Sequence, residues 1–120
     1  MREILFRGKR KADGQWVLGA FCPKNSKGRP CIIDLTSGYW YPIDPETIGQ
    51  WTGLVDKNGV KIFEGDIVDI LTENEETGVI TFYYGAFIVE ADGFCVDFNH
   101  NIWGTDVEVI GSIHDDKAVE

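Results

Sequence analysis

The sequence has few of the residues that metal sites and many enzymes require. It contains three cysteines and two histidines, with no CxxC spacing and no histidine at a zinc-ligand distance from a cysteine. The GxSxG, HExxH, GxxxxGK[ST] and GxGxxG motifs of the common enzyme classes are missing as well. We therefore expect a protein that is not an enzyme, and the sequence suggests no catalytic, metal-binding or cofactor-binding residue.

Long hydrophobic runs are also lacking. No apolar stretch approaches the roughly 20 residues of a membrane span, and the opening residues Met-Arg-Glu-Ile-Leu-Phe-Arg do not contain the apolar segment of a signal peptide. We expect a cytoplasmic protein in which Cys22, Cys31 and Cys95 are reduced. A disulfide between Cys22 and Cys31 across a hairpin is the alternative.

No long helical period is visible, whereas short runs of β-branched and aromatic residues are frequent. Glycine-containing turns such as Ala12-Asp13-Gly14 and Asp92-Gly93 separate these runs, which favours a small barrel or sandwich. The segment Asp44-Pro45-Glu46 predicts at most one short helical turn. We predict an all-β fold with strands near residues 3–8, 15–22, 31–35, 39–43, 66–72, 77–84, 86–91, 93–98 and 106–114.

Residues Gln50 to Ile70, QWTGLVDKNGVKIFEGDIVDI, carry the densest turn signals. Asp56-Lys57-Asn58-Gly59 is typical of a tight turn, because Asn and Gly accept positive φ angles. In Glu64-Gly65-Asp66, the glycine supplies an unusual backbone conformation and Asp66 a side-chain to backbone hydrogen bond. Strand alternation should point Asp69 away from Asp66, so these carboxylates do not predict a metal site.

The stretch TGLVDKNGVKIFEGDIV resembles the signature of the YopX family, small proteins encoded mainly by bacteriophages and prophages. The resemblance continues upstream through Ile43–Gln50, downstream at Glu108–Ile113 and at the opening Arg2–Gly8. It implies an all-β fold with an SH3-like barrel in the C-terminal part, and a family without an established biochemical activity. The matching positions that we single out have structural roles in turns and strands: Gly53, Asp56, Asn58, Gly59, Gly65 and Asp66.

We therefore predict two parts that can also form one continuous compact unit. Residues 1–50 would form an N-terminal hairpin or small sheet, packed on an SH3-like barrel of residues 51–120. Charge divides along similar lines. Residues 1–30 hold eight Lys or Arg against two acids, a net of +6, while residues 31–120 hold three lysines against eighteen acids, a net of −15.

Two groups of residues are candidates for contacts with a partner. The first is a basic cluster near the tip of the N-terminal hairpin, formed by Arg7, Lys9, Arg10 and Lys11. The second is the aromatic run Tyr39-Trp40-Tyr41, in which alternation places Trp40 on one face and both tyrosines on the other. Trp40 is either exposed there or buried in a core with Trp16, Trp51 and Trp103.

The leading hypothesis is a non-catalytic interaction module of phage or prophage origin, acting in the cytoplasm of a bacterial host. It would bind a protein partner through an acidic surface that contains aromatic residues. One alternative is a nucleic-acid accessory protein, whose basic hairpin would contact phosphates while aromatic rings stack on bases. The other is a structural protein that assembles with itself through strand edges.

Overall fold

The structure is a computed structural model that describes residues 4–71, 76–83, 85–91, 94–97 and 106–115. The chain divides into two compact units, Met1–Trp51 and Thr52–Glu120. The predicted all-β fold is confirmed, since the described residues form eleven strands with almost no helix, the short 3₁₀ turn Pro45–Thr47 being the named exception. The strands are β1 Phe6–Lys9, β2 Trp16–Cys22, β3 Cys31–Asp34, β4 Trp40–Pro42, β5 Gly49–Val55, β6 Lys61–Phe63, β7 Asp66–Ile70, β8 Glu76–Tyr83, β9 Ala86–Ala91, β10 Phe94–Asp97 and β11 Val107–Ser112.

The strands form two antiparallel sheets. One has the order β4-β3-β2-β1-β5-β6 and the other the order β10-β9-β8-β7-β11. In neither sheet does the last strand of the order pair with the first, so no closed barrel is found within the described ranges. The SH3-like barrel stays a prediction.

The core of the first unit lies on one face of its sheet. Alternation along β2 and β3 turns Val17 and Ile32 to this face, where they meet Ile43. The half-buried side chains of Phe6, Phe21, Tyr41 and Ile48 complete the cluster. The predicted N-terminal hairpin is present, with Phe6 opposite Gly19 and Lys9 opposite Trp16.

The predicted helical turn is present as the 3₁₀ segment Pro45–Thr47. Asp44 caps it by accepting a hydrogen bond from the Glu46 N–H at 3.1 Å. The buried Thr47 hydroxyl donates to the Asp44 carbonyl at 2.6 Å and accepts from the Lys9 N–H at 2.8 Å. This turn therefore supplies the backbone at the end of β1 with a hydrogen-bond partner.

The second unit has its own apolar core. Its fully enclosed side chains come from β6, β7, β8, β9 and β11: Ile62, Val68, Ile70, Ile80, Val89 and Val107. In β7 the side chains of Asp66, Val68 and Ile70 are buried, while Ile67 and Asp69 alternate with them and are half-buried. Asp69 therefore points away from Asp66, as predicted, and its Oδ1 accepts a hydrogen bond from the Thr77 hydroxyl at 3.2 Å.

Candidate functional site

The first sheet has a second face, opposite its core, which we call the outer face. The strand registers place Arg7 opposite Leu18, Lys9 opposite Trp16, Ala20 opposite Ile33, and Ile33 opposite Trp40. Directly opposed residues in an antiparallel sheet project from the same side. The outer face therefore presents apolar side chains from three strands together with two cations from β1: Arg7, Lys9, Trp16, Leu18, Ala20, Ile33 and Trp40.

Two outer-face cations stack on one indole ring. The Arg7 Cζ lies 4.2 Å from the Trp16 ring centroid, and the Lys9 Nζ lies 5.3 Å from it. Both distances fall within the range of cation–π attraction, which is worth about 0.5–1 kcal/mol at exposed sites. Trp16 is half-buried, and both positive charges lie near its ring.

The centre and edge of the outer face are open. Leu18 is 41% exposed and Trp40 is 53% exposed, so these large apolar side chains are not used in the core. Trp40 belongs to β4, which is the edge strand of the sheet order. Exposed tryptophan, exposed leucine and cations thus share one sheet face, a composition typical of protein-binding surfaces.

The predicted contact residues do not form one patch. Tyr41 packs against the core of the first unit, and its ring lies 4.5 Å from the Arg10 Cζ and 6.2 Å from the Tyr39 ring. Tyr39 and Tyr41 thus point away from Trp40, as alternation predicts. The predicted set is divided by the sheet, with Arg7, Lys9 and Trp40 on the outer face and Arg10, Tyr39 and Tyr41 on the other side.

The hairpin tip holds the remaining basic residues. Arg10 Nε lies 3.4 Å from Asp13 Oδ1, and this pair is only partly exposed, since Arg10 is half-buried. Lys11 is exposed, and its N–H donates to the Pro42 carbonyl at 3.0 Å. That bond occupies part of the outer edge of β4, where Pro42 itself has no N–H to offer.

Charge differs sharply between the units. Residues 1–51 contain eight Lys or Arg against five Asp or Glu, a net of +3, while residues 52–120 contain three lysines against fifteen acids, a net of −12. The exposed Trp40 belongs to the positive unit. The sequence suggested an acidic surface around Trp40, but the unit that contains Trp40 has a positive net charge.

A second exposed aromatic cluster was missed by the sequence reasoning. Phe82, 48% exposed near the end of β8, meets the Phe87 ring of β9 edge to face at 4.9 Å, and Tyr83, 60% exposed, follows it on the other face of the strand. The only signal was their position beside Gly85, because side chains next to a hairpin turn have fewer neighbours to cover them. This cluster lies in the acidic unit.

The signature residue Asp56 is a buried carboxylate with three backbone donors. It is 2% exposed; its Oδ1 accepts from the N–H groups of Asn58 and Val60 at 2.8 and 2.9 Å, and its Oδ2 accepts from Val109 at 3.0 Å. Burial acts to raise the pKa of Asp56, but the Val109, Val60 and Asn58 N–H groups and the Lys57 charge outweigh it. The pKa of Asp56 therefore lies below its ordinary value.

The other signature positions lie in or beside turns, except Gly53, which is within β5. Gly53, Gly59 and Gly65 have φ angles of +90°, +82° and +92°, which favour glycine. Asn58 Nδ2 donates to Glu108 at 3.4 Å, and Asp66, 1% exposed, accepts from the Phe63 N–H at 2.8 Å. These contacts give the signature a structural role in the second unit.

No group of three His, Cys, Asp or Glu suited to hold a metal ion occurs among the side chains that the structure describes. The part of the chain described also has no helix long and apolar enough to cross a membrane. Cys22 and Cys31 are free thiols. Trp103 lies outside the described residues.

Comparison with known proteins identifies a family. A family model described as YopX protein matches residues 6–118, which is nearly the whole chain. No curated protein matches the sequence significantly.

Proposed function

Because the chain belongs to the YopX protein family, we propose that it is a non-catalytic interaction module of phage or prophage origin, acting in the cytoplasm of a bacterial host. Its protein partner would dock on the outer face of the first sheet. The observation that carries this proposal is the exposure of Trp40 and Leu18 on the same sheet face as the Trp16-stacked cations Arg7 and Lys9.

The chemistry of the outer face suits a protein surface. Tryptophan and arginine dominate the binding energy of many interfaces, since both combine a large contact area with directional polar contacts. The stack on Trp16 restrains Arg7 and Lys9 before binding, which lowers the entropy lost when a partner immobilises them. The outer face is therefore a partly preorganised docking surface.

The positive charge of the first unit indicates which kind of partner the outer face would bind. The sequence hypothesis placed Trp40 on an acidic surface, but the unit that carries Trp40 has a net charge of +3 and presents Arg7 and Lys9 on the same face. Complementary charge favours the encounter and disfavours partners of the same sign. We therefore propose an acidic protein segment as the partner, with an apolar residue that covers Trp40.

The alternative functions receive less support. For self-assembly through strand edges, β4 is poorly suited, because Pro42 lacks an N–H and its carbonyl already accepts from Lys11. For single-stranded nucleic acid, Arg7 and Lys9 would have to serve phosphates while stacked on the ring that bases would use. Nuclease sensitivity distinguishes this case from protein binding.

A capture experiment tests the proposal, with the full chain as bait in a bacterial host lysate. We expect the same protein to be retained by the wild type and by Tyr39→Ala, and its retention to fall by about tenfold or more with Trp40→Ala. Tyr39 is a matched control. It precedes Trp40 and is 66% exposed, but its side chain points away from the outer face, toward Tyr41. Equal retention by both variants would contradict the assignment of the outer face.

Two further arms test the partner's chemistry. With Arg7→Glu, retention of an acidic partner should fall, and the wild-type complex should weaken as salt is raised. Nuclease treatment should leave a protein partner in place. Retention that disappears with nuclease would instead assign the outer face to nucleic acid, and a gain in retention by Arg7→Glu would indicate a basic partner.

We also propose that the second unit is an SH3-like barrel. Its support is the family membership and a run of short antiparallel strands, β7 to β11, around one apolar core. Backbone NOEs between strands at opposite ends of the sheet order would establish closure. An experimental structure whose edge strands lie apart and unpaired would contradict it.

A further inference from the structure

Cys22 and Cys31 face each other across the second hairpin of the first sheet. They are direct register partners, at the end of β2 and the start of β3. Directly opposed residues have Cβ atoms about 4.5–5.5 Å apart, while a disulfide needs about 3.5–4.5 Å between Cβ atoms and about 4.4–6.8 Å between Cα atoms. Direct opposition therefore places the two Cβ atoms within about 1 Å of the separation that a disulfide requires.

The surroundings of the two sulfur atoms differ. Cys22 is half-buried, and its thiol donates to the Lys24 carbonyl at 3.2 Å. Cys31 is fully buried, and its Sγ accepts from the Asn25 side-chain amide at 3.1 Å. A small oxidant in solution therefore reaches Cys22 first, while Cys31 is held beneath the loop as the second thiol.

We propose that Cys22 and Cys31 form an oxidation site that a peroxide converts into a disulfide. The Cys22 thiolate attacks a peroxide oxygen, the O–O bond breaks with release of hydroxide, and Cys22 becomes a sulfenic acid. The Cys31 thiolate then attacks the Cys22 sulfur, the S–S bond forms, and the sulfenic oxygen leaves as hydroxide. With the two thiol protons counted, two thiols and one hydrogen peroxide yield one disulfide and two waters.

Oxidation acts on the basic loop between the two cysteines. The reduced Cys22 thiol donates to the Lys24 carbonyl, and the disulfide removes that donor. Asn25 organises the same loop, because its Oδ1 accepts from the N–H groups of Lys27 and Arg29 at 2.8 and 3.0 Å while its amide donates to Cys31. The oxidation is a separate proposal from partner binding, although alternation from Ala20 and Ile33 places both cysteines on the outer face that also carries Trp40.

Hydrogen peroxide treatment of the full chain tests the site. Purified reduced protein is exposed to peroxide, remaining thiols are alkylated, and the intact mass and tryptic peptides are measured. We expect loss of two alkylation sites in the monomer and a peptide that joins Cys22 to Cys31. We also expect the melting temperature to rise by about 5 °C or more, since a disulfide restricts the unfolded chain.

Matched variants separate the proposed pair from other thiol chemistry. Cys95→Ser should behave like the wild type, whereas Cys22→Ser should give no intramolecular disulfide. In a glutathione redox buffer, the folded protein should form the Cys22–Cys31 disulfide at least about tenfold more favourably than the chain in denaturant. Two thiols that stay alkylatable, a disulfide that involves Cys95 or a second copy, or equal values for folded and unfolded chains would overturn the proposal.

Discussion

The two units place their charged groups in opposite ways. In the first, the cations Arg7, Lys9 and Arg10 lie over aromatic rings at or near the surface. In the second, the carboxylates of Asp56 and Asp66 are 2% and 1% exposed and accept backbone N–H donors. Buried carboxylates therefore stabilise the second unit from within, whereas the first unit carries these cations beside aromatic rings at its surface.

Among the tests of this comparison, Asp56→Asn should have the largest effect on stability. Two carboxylate oxygens accept three N–H groups at this buried site, and an amide would turn an N–H₂ group toward one of these donors. We expect the free energy of unfolding to fall by about 2–4 kcal/mol, measured by urea denaturation. Asp69→Asn is the control: half-buried on the other face of β7, it should change stability by less than about 1 kcal/mol.

The substitutions Gly65→Ala and Gly14→Ala compare how much each unit is destabilised when a glycine of positive φ is replaced. The φ angles are +92° at Gly65 and +73° at Gly14. A methyl group on Gly65 would lie 3.3 Å from the His114 ring, whereas among the described residues only the chain neighbours of Gly14 come within 4 Å of a methyl group there. We expect a loss of about 2–3 kcal/mol for Gly65→Ala and about 1 kcal/mol for Gly14→Ala. Equal losses in thermal or urea unfolding would mean that strain alone, without crowding, sets the cost.

The pH dependence of stability sharpens the comparison for Asp56. Its pKa is lowered in the folded protein, so the unfolded chain binds the proton first as the pH falls. The contribution to stability is complete above the ordinary value of about 3.9 and is lost as the pH falls through the lower, folded pKa. Urea unfolding between neutral and acidic pH should therefore show a smaller acid-induced loss for Asp56→Asn than for the wild type. Parallel curves would show that other carboxyl groups carry the whole effect.

The smallest effect concerns the stack on the outer face. In a double-mutant cycle of Arg7→Met and Trp16→Leu, we expect a coupling of about 0.5–1 kcal/mol in the free energy of unfolding. The same cycle with Arg10 and Tyr41, whose Cζ and ring lie 4.5 Å apart, provides a second pair in the same unit. A coupling near zero in both would show that these stacks orient the cations without stabilising the unit.

Much of the fold was predictable because the signals are local. The Ala12-Asp13-Gly14 turn, the capped turn after Asp44 and the alternation in β7 depend on residues close in sequence, and each was found as predicted. The predicted turn at Asp92-Gly93 lies outside the described residues. The division of the aromatic run by the sheet also followed from alternation, since Trp40 and its tyrosine neighbours are consecutive.

The candidate site was less predictable because it depends on contacts between distant segments. Asp56 was expected to act within its own turn, but its Oδ2 accepts from Val109, 53 residues away. Likewise, Trp16 shares the outer face with Arg7 and Lys9 only through the register of β1 and β2. The sequence grouped all four basic residues together, and it could not show that the sheet separates Arg10 from Arg7 and Lys9.

By itself, the sequence determined the all-β class, the family, the position of the turns and the unequal distribution of charge, because turn chemistry, alternation and composition act over a few residues. The tertiary structure decided which aromatic residues are exposed, which cations stack on them and which thiols face each other. Those properties depend on strand register and on the neighbours that each side chain meets. A shift of one residue in register would change every one of them while leaving the local signals intact.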